Sequence, residues 1–211
     1  MATRITRDFI ESYLNCRYKG HLKLAGQQGI RSEYELLLAE AAEEARCRAI
    51  QKILARQPVE EVIRDVILIQ AALKRGAVFI LNAILEDDNF ALTFDGLKRL
   101  PGSSKLGDFH YAPVLFSPGR QGPKQQRALL DVYGLLLSRL QGRAPVTGII
   151  WQGKESREKR VRLSQNPRKA ERLLEELRQL QVADVPPRLV LNKHCSDCLL
   201  YTSPSPRDRQ K

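Results

Sequence analysis

The chain has 211 residues, of which 43% are hydrophobic and 28% charged, with 13 Gly and 11 Pro. These values suit a folded globular domain and exclude wholesale disorder, collagen-like repeats and low-complexity sequence. A formal charge of +11, from 35 Lys+Arg against 24 Asp+Glu, raises the expectation of a polyanionic partner such as nucleic acid.

Thr6 is placed to cap a first helix, in which Phe9, Ile10, Tyr13 and Leu14 recur at helical spacing. Cys16 follows it directly. After a loop over Gly26 to Gly29, a long helix is expected from about Ser32 to Arg56. Leu36, Leu37, Ala41, Ala45 and Ile53 form its buried stripe, and mid-helix Cys47 reads as a packing residue. Pro58 opens a further helix to Lys74-Arg75, stopped by Gly76.

The period then changes. Ala77 to Leu85 is rich in β-branched and aromatic residues and reads as a strand, followed by a turn at Glu86-Asp87-Asp88-Asn89. Phe90 to Asp95 is a second strand, extended by Gly96 to Leu100 and broken at Pro101-Gly102-Ser103-Ser104. Phe109 to Phe116 is a third. A helix from about Gln125 to Gln141 leads to strands at Thr147 to Trp151 and Arg160 to Leu163, with Trp151 in the core. Asn166 caps a last helix, begun by Pro167 and buried through Leu173, Leu174, Leu177 and Leu180. Helices, a three-strand meander, a helix, two strands and a helix predict an α/β (α+β) fold, a mixed sheet with flanking helices.

Apolar runs such as Val66 to Ile69 are broken by Gln70 and Lys74, so no membrane span is expected. Met1 to Arg4 leads into polar residues without an apolar signal core, which points to the cytoplasm. The 4 cysteines, at 16, 47, 195 and 198, are then expected as thiols or metal ligands rather than disulfides. Beyond Cys198 the composition shifts to Ser, Pro and charge. Residues 199–211 resemble translated adapter sequence more than a folded element, the alternative being a disordered tail. The expectation is one domain over 1–198, truncated at its C-terminus.

Three stretches carry a family resemblance. They are Arg17-Tyr18-Lys19-Gly20-His21-Leu22 after Cys16, Phe94-Asp95-Gly96-Leu97-Lys98-Arg99, and Leu191-Asn192-Lys193-His194-Cys195-Ser196-Asp197-Cys198, with Tyr133 to Gly142 supporting them. Together they resemble the RecB-like nucleases of the PD-(D/E)XK superfamily that carry an iron–sulfur cluster, a group related to the CRISPR-associated RecB-type exonucleases. The resemblance implies a restriction-endonuclease-like sheet and a DNA substrate. It also implies downstream domains in a longer DNA-processing protein, and a [4Fe–4S] cluster that joins the N- and C-terminal segments. Cys16, Cys195 and Cys198 match three of its ligands, the fourth being missing from this chain. Cys-x-x-Cys lets two thiolates reach one cluster while a distant thiolate closes the cage. A zinc site completed by His194, or buried thiols without metal, are the competing readings.

The same resemblance assigns Asp95 to the metal-binding carboxylate and Tyr133 to the following helix, for Mg²⁺ or Mn²⁺ chemistry. The strand that should carry Asp/Glu-x-Lys reads Leu115-Phe116-Ser117, so the catalytic set is incomplete and little nuclease activity is expected. Asp108, Glu33, Glu35, Glu40 and Lys98 are the nearby charges available to complete it. Each reads first as a solvated charge. For DNA contact the candidates are Arg17, Lys19 and Lys98, and a second basic tract runs from Lys154 to Arg172. The alternative function is a catalytically inactive DNA-binding or assembly module.

Overall fold

A computed structural model describes residues 4–26, 33–119, 122–153, 155–183, 185–190, 192 and 195. The elements are β1 (Ile5–Thr6), α1 (Arg7–Asn15), α2 (Arg17–Leu24), α3 (Glu33–Leu54), β2 (Val62–Arg64), α4 (Gln70–Lys74), β3 (Phe79–Glu86) and β4 (Phe90–Ser104). They continue with β5 (Gly107–Ser117), α5 (Pro123–Gln141), β6 (Thr147–Gln152), β7 (Arg157–Arg162) and α6 (Arg168–Val182).

Local chemistry explains several of these limits. The Thr6 hydroxyl accepts the Phe9 N–H at 3.3 Å, which starts α1 as expected. Gly142 ends α5 in the left-handed region at φ 66°, where a side chain would be strained. Asn166 Oδ1 accepts the Arg168 N–H at 3.1 Å at the head of α6.

The strands form one mixed sheet in the order β2-β3-β4-β5-β6-β7, with β1 pairing on β4. The β3-β4-β5 meander is antiparallel. Helix α5 then carries the chain across so that β6 pairs parallel to β5, and β7 closes the sheet antiparallel to β6. Helices lie on both faces. Phe9 and Ile10 of α1, Leu130 and Leu137 of α5 and Leu174 and Leu177 of α6 build the larger core on one face. On the other face Ala49 and Ile53 of α3 cover Phe79, Leu81, Val114 and Trp151. Burying each such side chain contributes about 1.5–3 kcal/mol, so the larger core dominates the stability. This is the expected mixed α/β architecture, consistent with a restriction-endonuclease-like sheet. No helix among the described residues is long and apolar enough to cross a membrane.

Three expectations are corrected. Residues 58–75 are not one helix. They form a 3₁₀ turn at Val59–Glu61, then β2 and the short α4. The β-branched Val62 and Ile63 are taken into a parallel ladder with Phe79 and Ile80, and tertiary pairing outweighs the weak helical pattern. Pro101 to Ser104 does not end β4. The strand runs on to Ser104, with Pro101 still in register opposite Phe109 and a register shift between Pro101 and Ser104. The stripe of α3 is buried only in its C-terminal half. Leu36 is 47% and Leu37 61% exposed, and Cys47 faces solvent with its thiol 3.6 Å from Glu43 Oε1. The sequence reading also lacked α2, over Arg17–Leu24.

Candidate functional site

The sheet divides at its centre. On β3, Phe79 and Leu81 face α3, whereas Ala83 and Leu85 face the larger core. A regular strand would put all four on one side. The change of phase falls at Asn82, which adopts φ 54°. Opposite it, β4 changes phase between Phe94, paired with Ala83, and Gly96, paired with Leu81. Gly96 suits the closeness of the strands, since a Cβ there would meet Leu81 Cδ2 at 3.2 Å. Gly96–Val114 is also the last β4–β5 pair in this direction among the described residues. From Val114 to Ser117, β5 stays with β6, while β1 takes the vacated edge of β4 at Phe90 and Ala91.

Asp95 stands in this gap, 2% exposed. Its Oδ1 accepts from Arg7 Nη1 at 2.6 Å and Arg46 Nη1 at 3.0 Å, and its Oδ2 accepts the Phe116 backbone N–H at 2.8 Å. The side chain thus replaces the missing ladder bond to β5 and ties α1 and α3 to the sheet from its two faces. Each arginine is held in turn. Arg7 Nε donates to Glu11 Oε1 at 2.8 Å, and Arg46 Nη2 donates to Asn82 Oδ1. Asn82 Nδ2 donates to Asp65 Oδ1 at 2.9 Å. Burial alone would weaken the Arg7 cation, but the Asp95, Tyr133 and Glu11 oxygens outweigh it and raise its pKa above the ordinary value.

A divalent ion does not fit here. Mg²⁺ requires several hard oxygens in octahedral geometry. Asp95 already carries two guanidinium cations, and Glu11, the next carboxylate, is engaged by Arg7. Like charges about 4 Å apart repel by roughly 4 kcal/mol per unit of charge at an effective dielectric near 20. An incoming dication would have to displace both arginines.

Of the other residues predicted for this site, Tyr133 lies close enough for its hydroxyl to act on Arg7, and the charged candidates lie apart from it. Tyr133 is fully buried, its ring tilted 30° against Phe94 at a centroid distance of 4.1 Å. Its hydroxyl donates to the Thr93 carbonyl at 2.8 Å, and burial pushes its pKa up, with Arg7 pulling the other way. Asp95 and Tyr133 therefore both lie inside the fold, Tyr133 in the larger core. Leu115 is core, and the Ser117 hydroxyl accepts from Gln126 Nε2 at 2.8 Å. Asp108, Glu33 and Glu40 are exposed, and the side chain of Glu35 lies outside the described residues. Lys98 is turned to the α3 face, 5.5 Å over the Phe79 ring, and pairs with Glu158 at 2.7 Å.

A second polar cluster joins α1 to α6. Glu176 accepts from Tyr13 Oη at 2.8 Å, Arg17 Nη2 at 3.0 Å and Arg172 Nε at 3.0 Å. Burial raises the Tyr13 pKa to about 12, with the Glu176 hydrogen bond adding to it. For Glu176, burial works upward, but the Tyr13 and Arg172 hydrogen bonds and the Arg17 charge hold its carboxyl below the usual range. Arg17, 64% exposed at its side chain, thus shares one carboxylate with Arg172, and Lys19 also has an interaction of its own.

Cys16 caps the C-terminus of α1 through its N–H to the Ser12 carbonyl at 2.8 Å. Cys195 sits in a turn in which its Sγ accepts the Asn192 N–H at 3.2 Å. Asn192 Nδ2 donates to the Asn15 carbonyl at 3.1 Å, so this turn is held against the residue that precedes Cys16. Cys198 and His194 lie outside the described residues. Thiolate donors at 16 and 195 suit a soft cluster or zinc in kind. Among the described residues, no three His, Cys, Asp or Glu side chains converge to hold an ion.

Compared with known protein families and with curated proteins, the chain matches none. Sequence reading missed Arg7, Arg46, Asn82 and Gln126. Only Gln126 left a signal, as a polar residue in the apolar phase of α5 with Leu130, Tyr133 and Leu137.

Proposed function

We propose that this chain is a RecB-like nuclease-type domain that binds DNA without hydrolysing it, a binding or assembly module within a longer cytoplasmic DNA-processing protein. The observation that carries the reading is the state of Asp95, which is buried, shared by two guanidinium groups and bonded to the main chain of β5. The positions where the resemblance calls for a second carboxylate and a lysine hold Leu115 and Ser117, and neither can ligate a metal or orient a water as those groups do. The charge of +11 supports a polyanion as the partner. In the same reading Cys16, Cys195 and Cys198 brace the two segments through an iron–sulfur centre, or through zinc with His194 as the fourth ligand.

The test is a titration of Mg²⁺ and of Mn²⁺ against the purified chain with end-labelled single-stranded and duplex DNA. Salt-sensitive binding in EDTA with no cleavage at any metal concentration is the expected result. Metal-dependent cleavage that disappears in Asp95→Ala would overturn the loss of chemistry. Anaerobic purification with an absorbance scan and iron and zinc analysis tests the centre at the cysteines.

A further inference from the structure

We infer that the DNA-contacting surface is the rim formed by β7 and the first turn of α6, and that it grips the phosphate backbone of duplex DNA without reading bases. This rests on the DNA-binding reading and moves the contact away from Arg17, Lys19 and Lys98.

Residues 157–172 hold seven cations (Arg157, Lys159, Arg160, Arg162, Arg168, Lys169 and Arg172) against Glu158 and Glu171, a surplus of 7 − 2 = +5. Much of that charge is unmatched within the fold. Glu158 is shared by Lys98 and Arg160, Arg157 pairs with Glu155, and Arg172 pairs with Glu176. Lys159, Arg162, Arg168 and Lys169 are exposed and have no ion-pair partner among the described residues. Arg17 and Lys98, by contrast, each hold an ion pair, with Glu176 and Glu158.

The placement of these cations matters as much as their number. β7 is the last strand of the sheet. Val161 packs toward the larger core, so Lys159 shares that face with α6, while Arg160, paired with Ile149, and Arg162 lie on the α3 face. The edge is therefore positive on both sides. Arg168 and Lys169 sit in the first turn of a 15-residue helix, at the positive end of its dipole, where cations destabilise the helix that carries them. An anion at this surface relieves both repulsions.

The same segment contains no aromatic residue on which a base could stack. Affinity then comes from phosphates alone and follows their density. A duplex presents one charge per ~1.7 Å of axis, about twice that of one strand.

The test measures fluorescence anisotropy of a short duplex and of one of its strands against the full chain, over a range of salt concentrations. Replacing Lys159, Arg162, Arg168 and Lys169 together with alanine should weaken duplex binding by about 100-fold and reduce the slope of log affinity against log salt by about 3–4, roughly one per lost phosphate contact. The half-variants Lys159→Ala/Arg162→Ala and Arg168→Ala/Lys169→Ala should each lose about tenfold. Arg17→Ala/Lys98→Ala should stay within about threefold. The rim assignment is overturned if the fourfold variant binds like the parent, if the Arg17/Lys98 variant is the one that fails, or if an acidic peptide competes as well as the duplex. Tighter binding of the single strand would overturn the duplex preference. A parent chain that binds neither form would instead remove the DNA-binding reading itself.

Discussion

Arg7 and Arg46 at the sheet centre and Arg162 and Arg168 at its rim are the same residue type in opposite circumstances. The first pair is drawn onto one buried carboxylate, and its charge is cancelled within the fold. The second pair stands in solvent with no acid assigned to it among the described residues. Charge inside the sheet holds two helices to a divided pair of strands. Arg162 and Arg168 make no ion pair among the described residues, and Arg168 opposes the dipole of α6. A surplus that costs stability marks the surface on which a partner is expected, whereas a buried group with every bond satisfied marks structure.

The sharpest way to break that contrast is Asp95→Ala. It leaves two largely buried guanidinium groups and the Phe116 N–H without their acceptor. The expected loss is about 3–5 kcal/mol of unfolding free energy, read by urea denaturation, because uncompensated buried charge is worse than no pair at all. Unchanged stability would mean that Asp95 is available for chemistry after all. Tyr133→Phe is next. It strands the Thr93 carbonyl in the core and should cost about 1–2 kcal/mol, with DNA affinity unaltered. If affinity falls instead, Tyr133 reaches the ligand.

Glu176→Gln is expected to cost about 0.5–1 kcal/mol, as it weakens partly exposed pairs with Arg17 and Arg172. The folded carboxyl of Glu176 titrates below its unfolded value. Its contribution is therefore present above the ordinary carboxylate range and fades as pH falls through the lowered value. Acid denaturation curves of the parent and Glu176→Gln should converge there. His110 gives a second pH dependence. Burial and the nearby Arg143 charge lower its pKa from 6.5, against a weak contact of its Nδ1 with the Gly102 carbonyl. The unfolded chain takes up the proton first as pH falls. Stability therefore declines below about pH 6.5 and levels off once the folded form is also protonated. His110→Gln should flatten that slope. The smallest effect is expected at Leu36 and Leu37. Alanine at either should change stability by no more than about 0.5 kcal/mol, since both already face solvent.

Much of the local structure was legible in the residues themselves. Thr6, Gly142 and Asn166 mark helix ends through bonds or backbone freedom that span four residues or fewer. The runs Phe79 to Leu85 and Phe109 to Phe116 are apolar and β-branched enough to be strands in most surroundings. Residues 58–75 show the boundary of that legibility. Their apolar residues fit helix and strand about equally, and a parallel neighbour 17 residues away decided for strand in part of them, with Val62 opposite Phe79.

At the candidate site the residue types were legible and their relations were not. Under the proposed resemblance, Asp95, Leu115 and Ser117 mark an incomplete catalytic set. Nothing near Asp95 in the chain indicates that its partners are Arg7, 88 residues away, and Arg46, 49 residues away. Composition and short-range pattern thus determined the class of fold, the helix limits and the positive charge. Whether a given charge is cancelled or left open was decided by tertiary structure, because ion pairing depends on distances that only the packed sheet and its two helical layers create.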